Sequence, residues 1–258
     1  MTSMTRLGVA TAVACVFGAA AFADSISPET FSADLPGGES ITVRKTVVVD
    51  DAPPTSARID THFLIDTSGS MGSQVTAAKD AATDLFNSLT ADFGDVNAGV
   101  GVFSEGAFLG TTPDNRNAII GGGLTDNAAT FQSNVDEVTL NVPNSGFDFP
   151  ESGYDAIDLA GNDLSWRPGS NRFMFVFTDA SAKGDLAAAQ DTLDDLGINL
   201  VALAYNSGFS FVDSSYGTPL GGTVFDSATS VDDIIADVTA GIGAGFAEYS
   251  SVTVDDLG

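Results

Sequence analysis

The stretch His62-Phe63-Leu64-Ile65-Asp66-Thr67-Ser68-Gly69-Ser70-Met71 decides how the rest of the chain is read. It places Asp-x-Ser-x-Ser directly after a buried-strand pattern. One carboxylate and two hydroxyls are then presented on one tight loop. All three are hard oxygen donors, of the kind Mg²⁺ and Ca²⁺ take. An amphipathic helical pattern follows at once, so the backbone N–H groups of a helix N-terminus lie close by. The spacing has the form of a metal-dependent binding site.

Working outward, Val75, Ala78, Ala82, Leu85, Phe86, Leu89 and Phe93 recur mostly at spacings of three and four. That predicts a helix with one apolar face. Residues 96–103 read as a strand, with 108–111 returning as a hairpin. A helix is expected around 127–135 and a shorter one over 153–160. Arg172-Phe173-Met174-Phe175-Val176-Phe177-Thr178 has the composition of a fully buried strand. A helix over 185–196, a strand over 198–205 and a short strand over 223–225 come next. Ser230 caps a last helix carrying Val231, Ile234, Ile235, Val238 and Ile242. Strand–helix alternation of this kind implies an α/β fold. The expected architecture is a doubly wound, mostly parallel sheet with helices on both faces.

The flanks differ in character. Residues 1–23 read as a signal peptide: Arg6, an apolar run from Leu7 to Phe22, and Ala21-Phe22-Ala23 before the cleavage point. Residues 24–57 read as an N-terminal β-strand segment and linker, turn-rich over 24–37, a strand over 40–49, then Pro53-Pro54. The main domain spans 58–247, and 248–258 ends the chain as a β-strand. The strands at 40–49 and 249–255 are expected to pair, as the start of a second β-domain. The address implies a secreted, periplasmic or cell-surface protein.

The formal net charge is −26, from 9 basic and 35 acidic residues. So acidic a chain repels nucleic acid and anionic membranes, and it suits divalent cations. An acidic, solvated surface alone accounts for most of that charge. The one cysteine, Cys15, leaves with the signal peptide, so no disulfide or thiol chemistry remains. Gly121-Gly122-Gly123 lacks the Gly-Lys-Ser/Thr of a phosphate loop. His62, the only histidine, has no cysteine or second histidine to act with, which favours a structural role.

Asp66 and Asp179 each end an apolar strand pattern. In a doubly wound sheet, ligands bind outside the carboxyl ends of the strands. Asp148-Phe149-Pro150-Glu151 precedes a short helix, so its loop opens onto the same edge. One acid ending a strand is often no more than a helix cap. Three elements in order carry more weight.

These residues resemble the von Willebrand factor A domain and its metal-ion-dependent adhesion site. The likeness is sharper to the integrin β-subunit I-like domain and its bacterial relatives. Asp148-Phe149-Pro150-Glu151-Ser152-Gly153-Tyr154-Asp155-Ala156-Ile157 is similar to that group's Asp-x-Pro-Glu-Gly-Gly-Phe-Asp-Ala-Ile segment. Trp166-Arg167, Asn171-Arg172 and Val176-Phe177-Thr178-Asp179-Ala180 resemble its stretch before the third metal-site loop. The resemblance implies that Ser68, Ser70 and Glu151 bind a central Mg²⁺ or Mn²⁺ directly. Asp66 and Asp179 would act directly or through water. A second, Ca²⁺ site would use Glu105, Asp148, the Pro150 carbonyl and Glu151. Gly146 stands where the group has an asparagine, which weakens that site. Ser73 and Gln74 replace an acidic pair, so a third site is not expected. The implied function is a non-enzymatic binding or adhesion module whose partner offers an Asp or Glu carboxylate. The alternatives are a structural A domain of a surface assembly with no metal-dependent ligand, and a metal-dependent hydrolase.

Overall fold

The computed structural model describes residues 57–106, 117–140 and 149–247, and the short strands β1 (Ser25–Ser27) and β2 (Thr46–Val48). The two strands pair antiparallel, Ser25 opposite Val48. They belong to one of two compact units; the other, residues 52–244, carries the main sheet. Ser25–Ser27 falls in a segment read as turns, because three residues are too short to show alternation. Of the strand expected over 40–49, Thr46–Val48 is the described part. Residues 249–255 and the hairpin expected at 108–111 lie outside the described residues.

Five parallel strands form the main sheet: β3 (Arg58–Asp66), β4 (Asp95–Phe103), β5 (Asn171–Thr178), β6 (Ile198–Ala204) and β7 (Thr223–Asp226), in the order β4-β3-β5-β6-β7. Parallel strands need covered faces, so β3 to β6 are mostly buried, the polar residues of β3 included. In β3 every residue after Arg58 is buried. Helices α1 (Gln74–Phe93) and α2 (Ala128–Asp136) cover one face. There Phe63 stacks on Phe175 at 5.1 Å and meets Phe131 at 5.6 Å, while Phe131 meets Phe86 at 4.6 Å. Helices α3 (Gly153–Asp163) and α4 (Leu186–Leu196) cover the other. Ala156, Ile157, Ala160, Ala189 and Leu193 pack there with Leu64, Met174, Val176 and Leu200. The doubly wound architecture expected from the sequence is therefore present.

Two short elements were not legible: α5 (Phe209–Val212) and the wide π-type turn Asp213–Gly217 that continues it. Helix α6 (Val231–Ala247) closes the described chain, with the Ser230 hydroxyl accepting from the Asp233 N–H at 3.2 Å.

His62 is packed as a structural residue. Its Nε2–H donates to the Ala118 carbonyl at 2.8 Å, and the ring is fully buried. It lies against Gly99 and Gly101 of β4, where side chains would collide with it. Burial pushes its pKa down to about 4, against the opposing pull of the Ala118 carbonyl. At the edge of the sheet where the strands begin, Arg167 pairs with Asp60 and Asp95, and Arg58 also reaches Asp95.

Candidate metal centre

From β3 the chain runs outward to β4, then returns across β3 to β5. Connections thus leave β3 and β5 in opposite directions, which opens a crevice beyond their carboxyl ends. Asp66 is the last residue of β3, and Asp179 follows β5. Ile65 is in register with Phe177, so both acids are carried to this crevice.

The Asp-x-Ser-x-Ser loop is tightly wound. The Asp66 carboxylate accepts from the Ser68 N–H at 2.8 Å and from the Thr178 hydroxyl at 2.7 Å. The Ser68 and Ser70 hydroxyls are 3.1 Å apart, and Ser70 donates to Asp179 at 2.8 Å. A run of contacts therefore joins Asp66, Ser68, Ser70 and Asp179. Asp66, Ser68 and Asp179 are buried, whereas Ser70 faces solvent. The site is open at one end and dry at the other.

Burial pushes the Asp66 carboxyl up to about 6, despite the hydrogen bonds from Thr178 and Ser68; the charge of Asp179 adds to the rise. Neither acid has a basic partner among the described residues, whose ion pairs sit at the opposite edge. Two neighbouring buried carboxylates without a counter-charge are costly, and a cation relieves that cost. The donors fit a hard divalent ion in chemistry: carboxylate and hydroxyl oxygens, with no nitrogen or sulfur.

Glu151 reaches the same region through its backbone. Its N–H donates to the Ser181 carbonyl at 2.9 Å, and its own carbonyl accepts from Lys183 at 2.6 Å. This bridge ties the Glu151 loop to the segment after Asp179. Ser152 ties it to the loop after β4, through the Ser104 and Glu105 carbonyls at 2.7 Å each. Glu151 is buried and Glu105 half-buried. Asp148 lies outside the described residues, and Pro150 follows a cis peptide bond. Among the described residues no group of three or more His, Cys, Asp or Glu side chains is arranged to hold a metal. Among the described residues, Glu151 is thus not gathered with Asp66 and Asp179 into a ready-made carboxylate cage; the oxygens that lie with that pair are the hydroxyls of Ser68, Ser70 and Thr178.

Two participants were missed in the sequence. Thr178 holds Asp66 and also accepts from the Ala180 N–H at 3.1 Å. Asn206 donates from Nδ2 to Asp179 and to the Ser70 carbonyl, each at 3.0 Å. Its φ of 49° is left-handed, a conformation Asn tolerates better than most residues. The signal was present as Asn206-Ser207-Gly208 directly after an apolar strand.

A doubly wound parallel sheet with an Asp-x-Ser-x-Ser loop at its switch point defines a class of α/β proteins. Residues 60–215 match the von Willebrand factor type A domain, and the chain belongs to that family. No curated protein sequence matches it. Several solved structures share its fold. One is an aerotolerance-related membrane protein from Bacteroides fragilis, with 16% identity and a TM-score of 0.53, over 72% of this chain and 99% of that one. Another is proximal thread matrix protein 1 from the mussel byssus, described with a zinc-occupied MIDAS motif. It has 17% identity and a TM-score of 0.51, over 74% of this chain and 47% of that one. A third is the pilus adhesin SpaC from Lactobacillus rhamnosus GG, with 14% identity and a TM-score of 0.51, over 78% of this chain and 32% of that one. No described helix is long and apolar enough to cross a membrane.

Proposed function

We propose that this is an exported binding module that engages an acidic group of a partner protein through a divalent cation. Asp66, Ser68, Ser70, Glu151 and Asp179 would hold the ion, Mg²⁺ or Mn²⁺. The observation that carries the reading is the hydroxyl-bridged pair Asp66 and Asp179, buried and without a basic partner. Bound there, the ion would supply a Lewis-acid position to which a partner's Asp or Glu can bind in place of water.

The protein's own residues do the rest. Thr178 and the Ser68 N–H orient Asp66, while Asn206 fixes Asp179. Ser70 stands at the solvent side, where a partner would approach. Exposed Phe149, beside Pro150, and exposed Phe209 and Phe211 of α5 would offer apolar contacts around the carboxylate. The mussel protein with its zinc-occupied motif and the pilus adhesin support the metal and binding parts by analogy. Binding is favoured over hydrolysis because His62, the only histidine, is buried in the sheet and committed to Ala118. Glu105, Asp148, the Pro150 carbonyl and Glu151 are kept as a weaker Ca²⁺ site.

Titration calorimetry with Mn²⁺ tests the assignment. The protein should bind at one main site, and Asp66→Asn should weaken it at least tenfold. Asn keeps the shape and the contact with Ser68 but removes the charge. Equal binding by the variant would refute the site.

A further inference from the structure

Among the described residues Tyr216 is the largest side chain wholly removed from solvent. Its phenolic oxygen has no hydrogen-bond partner among the described residues. The nearby Tyr154, whose ring lies 6.2 Å away edge-on, satisfies its own hydroxyl by donating to the Ser215 carbonyl at 3.1 Å. A buried hydroxyl without a partner costs stability, because it has given up water for nothing. A phenylalanine would fill the same space without that cost.

The position of the oxygen is informative. It lies against Gly153, the first residue of α3, where an added Cβ would fall 1.9 Å from it. Gly153 therefore leaves the room that the hydroxyl needs. Glu151 stands two residues earlier, and its carbonyl accepts from the Gly153 N–H at 2.8 Å. Burial holds the phenol well above its usual pKa, and the negative charges of Asp66 and Glu151 add to that rise. The O–H thus lies buried at the start of α3, against Gly153, two residues from Glu151. It is delivered there by the π-type turn Asp213–Gly217, a local irregularity of the kind often found at functional sites.

We propose that Tyr216 is a positioning residue of the metal centre: its buried, unpartnered hydroxyl donates to the Glu151 carboxylate when that carboxylate engages the cation. The inference rests on the proposed metal binding and deepens it. It explains why Tyr stands where Phe would pack more cheaply, and why the adjoining position is glycine. A phenol donating from behind holds one carboxylate oxygen and leaves the other turned toward the ion. The arrangement corresponds to the outer partners that orient ligands in other metal sites.

The test compares the full chain with Tyr216→Phe, using Tyr154→Phe as the control for a paired tyrosine. Melting in EDTA, Mg²⁺ affinity by calorimetry and the near-ultraviolet tyrosine difference spectrum on adding Mg²⁺ are read in parallel. Tyr216→Phe should melt in EDTA at the same temperature as the wild type or higher. It should bind Mg²⁺ about tenfold more weakly, within the range seen for outer-sphere substitutions, and lose the tyrosine difference signal. Tyr154→Phe should keep both affinity and signal. If Tyr216→Phe binds Mg²⁺ as tightly as the wild type, or melts lower in EDTA, the hydroxyl is structural and the proposal is wrong. If the wild type itself binds no ion, the metal reading fails first, and this proposal fails with it.

Discussion

His62 should make this fold acid-labile in a window that the structure defines. In the folded chain its Nε2–H is committed to the Ala118 carbonyl, and Nδ1 has no partner. A second proton would place an unpaired charge on a ring that is fully buried. The pKa accordingly falls to about 4 from an ordinary 6.5. In the unfolded chain the ring binds its proton at the ordinary value. Above about pH 6.5 both states are neutral and His62 adds no pH dependence. Below it the unfolded state takes up a proton that the folded state refuses, so stability falls until about pH 4. A gap of about 2.5 units at about 1.4 kcal/mol each amounts to roughly 3 kcal/mol. Urea unfolding in EDTA, repeated between about pH 7 and about pH 4.5, reads this directly. His62→Gln is the reference, because an amide there does not titrate. Asp66, whose carboxyl is pushed the opposite way, is present in both proteins and cancels in the comparison. The stability difference between wild type and variant should shrink by roughly 2–3 kcal/mol across the window. Parallel pH curves would refute the reasoning.

Two further predictions follow from close packing and from the acidic loops. Gly101→Ala should destabilise the domain by roughly 3 kcal/mol or more, since its Cβ would fall 1.9 Å from the Ala118 carbonyl oxygen, a backbone atom that cannot turn aside; denaturant melts check this, and a loss below about 1 kcal/mol would contradict it. Crystals soaked in calcium should show an anomalous peak between Glu105 and Glu151 if those acids, Asp148 and the Pro150 carbonyl form a second site, and a featureless map there would reject it.

What the sequence disclosed, and what it withheld, follows from how local each signal is. The apolar run Phe173–Phe177 of β5 and the Phe63–Ile65 run before Asp66 in β3 mark buried strands, and α1 repeats its apolar face over many turns, so each announces itself. The Asp66–Ser70 loop is legible because its donors are neighbours in the chain. Helix α5 has only four residues, too few for a period, and two of them, Phe209 and Phe211, point to solvent. Asn206 and Tyr216 acquire meaning only when β6 and the turn after it deliver them beside Asp179 and Gly153. Glu151 is the instructive intermediate. Family resemblance picks it out as a ligand, yet the fold anchors it by its backbone to Ser181 and Lys183, and among the described residues its side chain joins no preformed acidic cluster. A loop held by its main chain can turn its carboxylate without unfolding. In the proposed site the strand-end pair Asp66 and Asp179 would be the part already assembled, and Glu151 the part that joins it when an ion binds. If the proposed metal binding holds, that division would make the surroundings of Glu151, Tyr216 first among them, the place where affinity is tuned, which is what the Tyr216→Phe comparison reads.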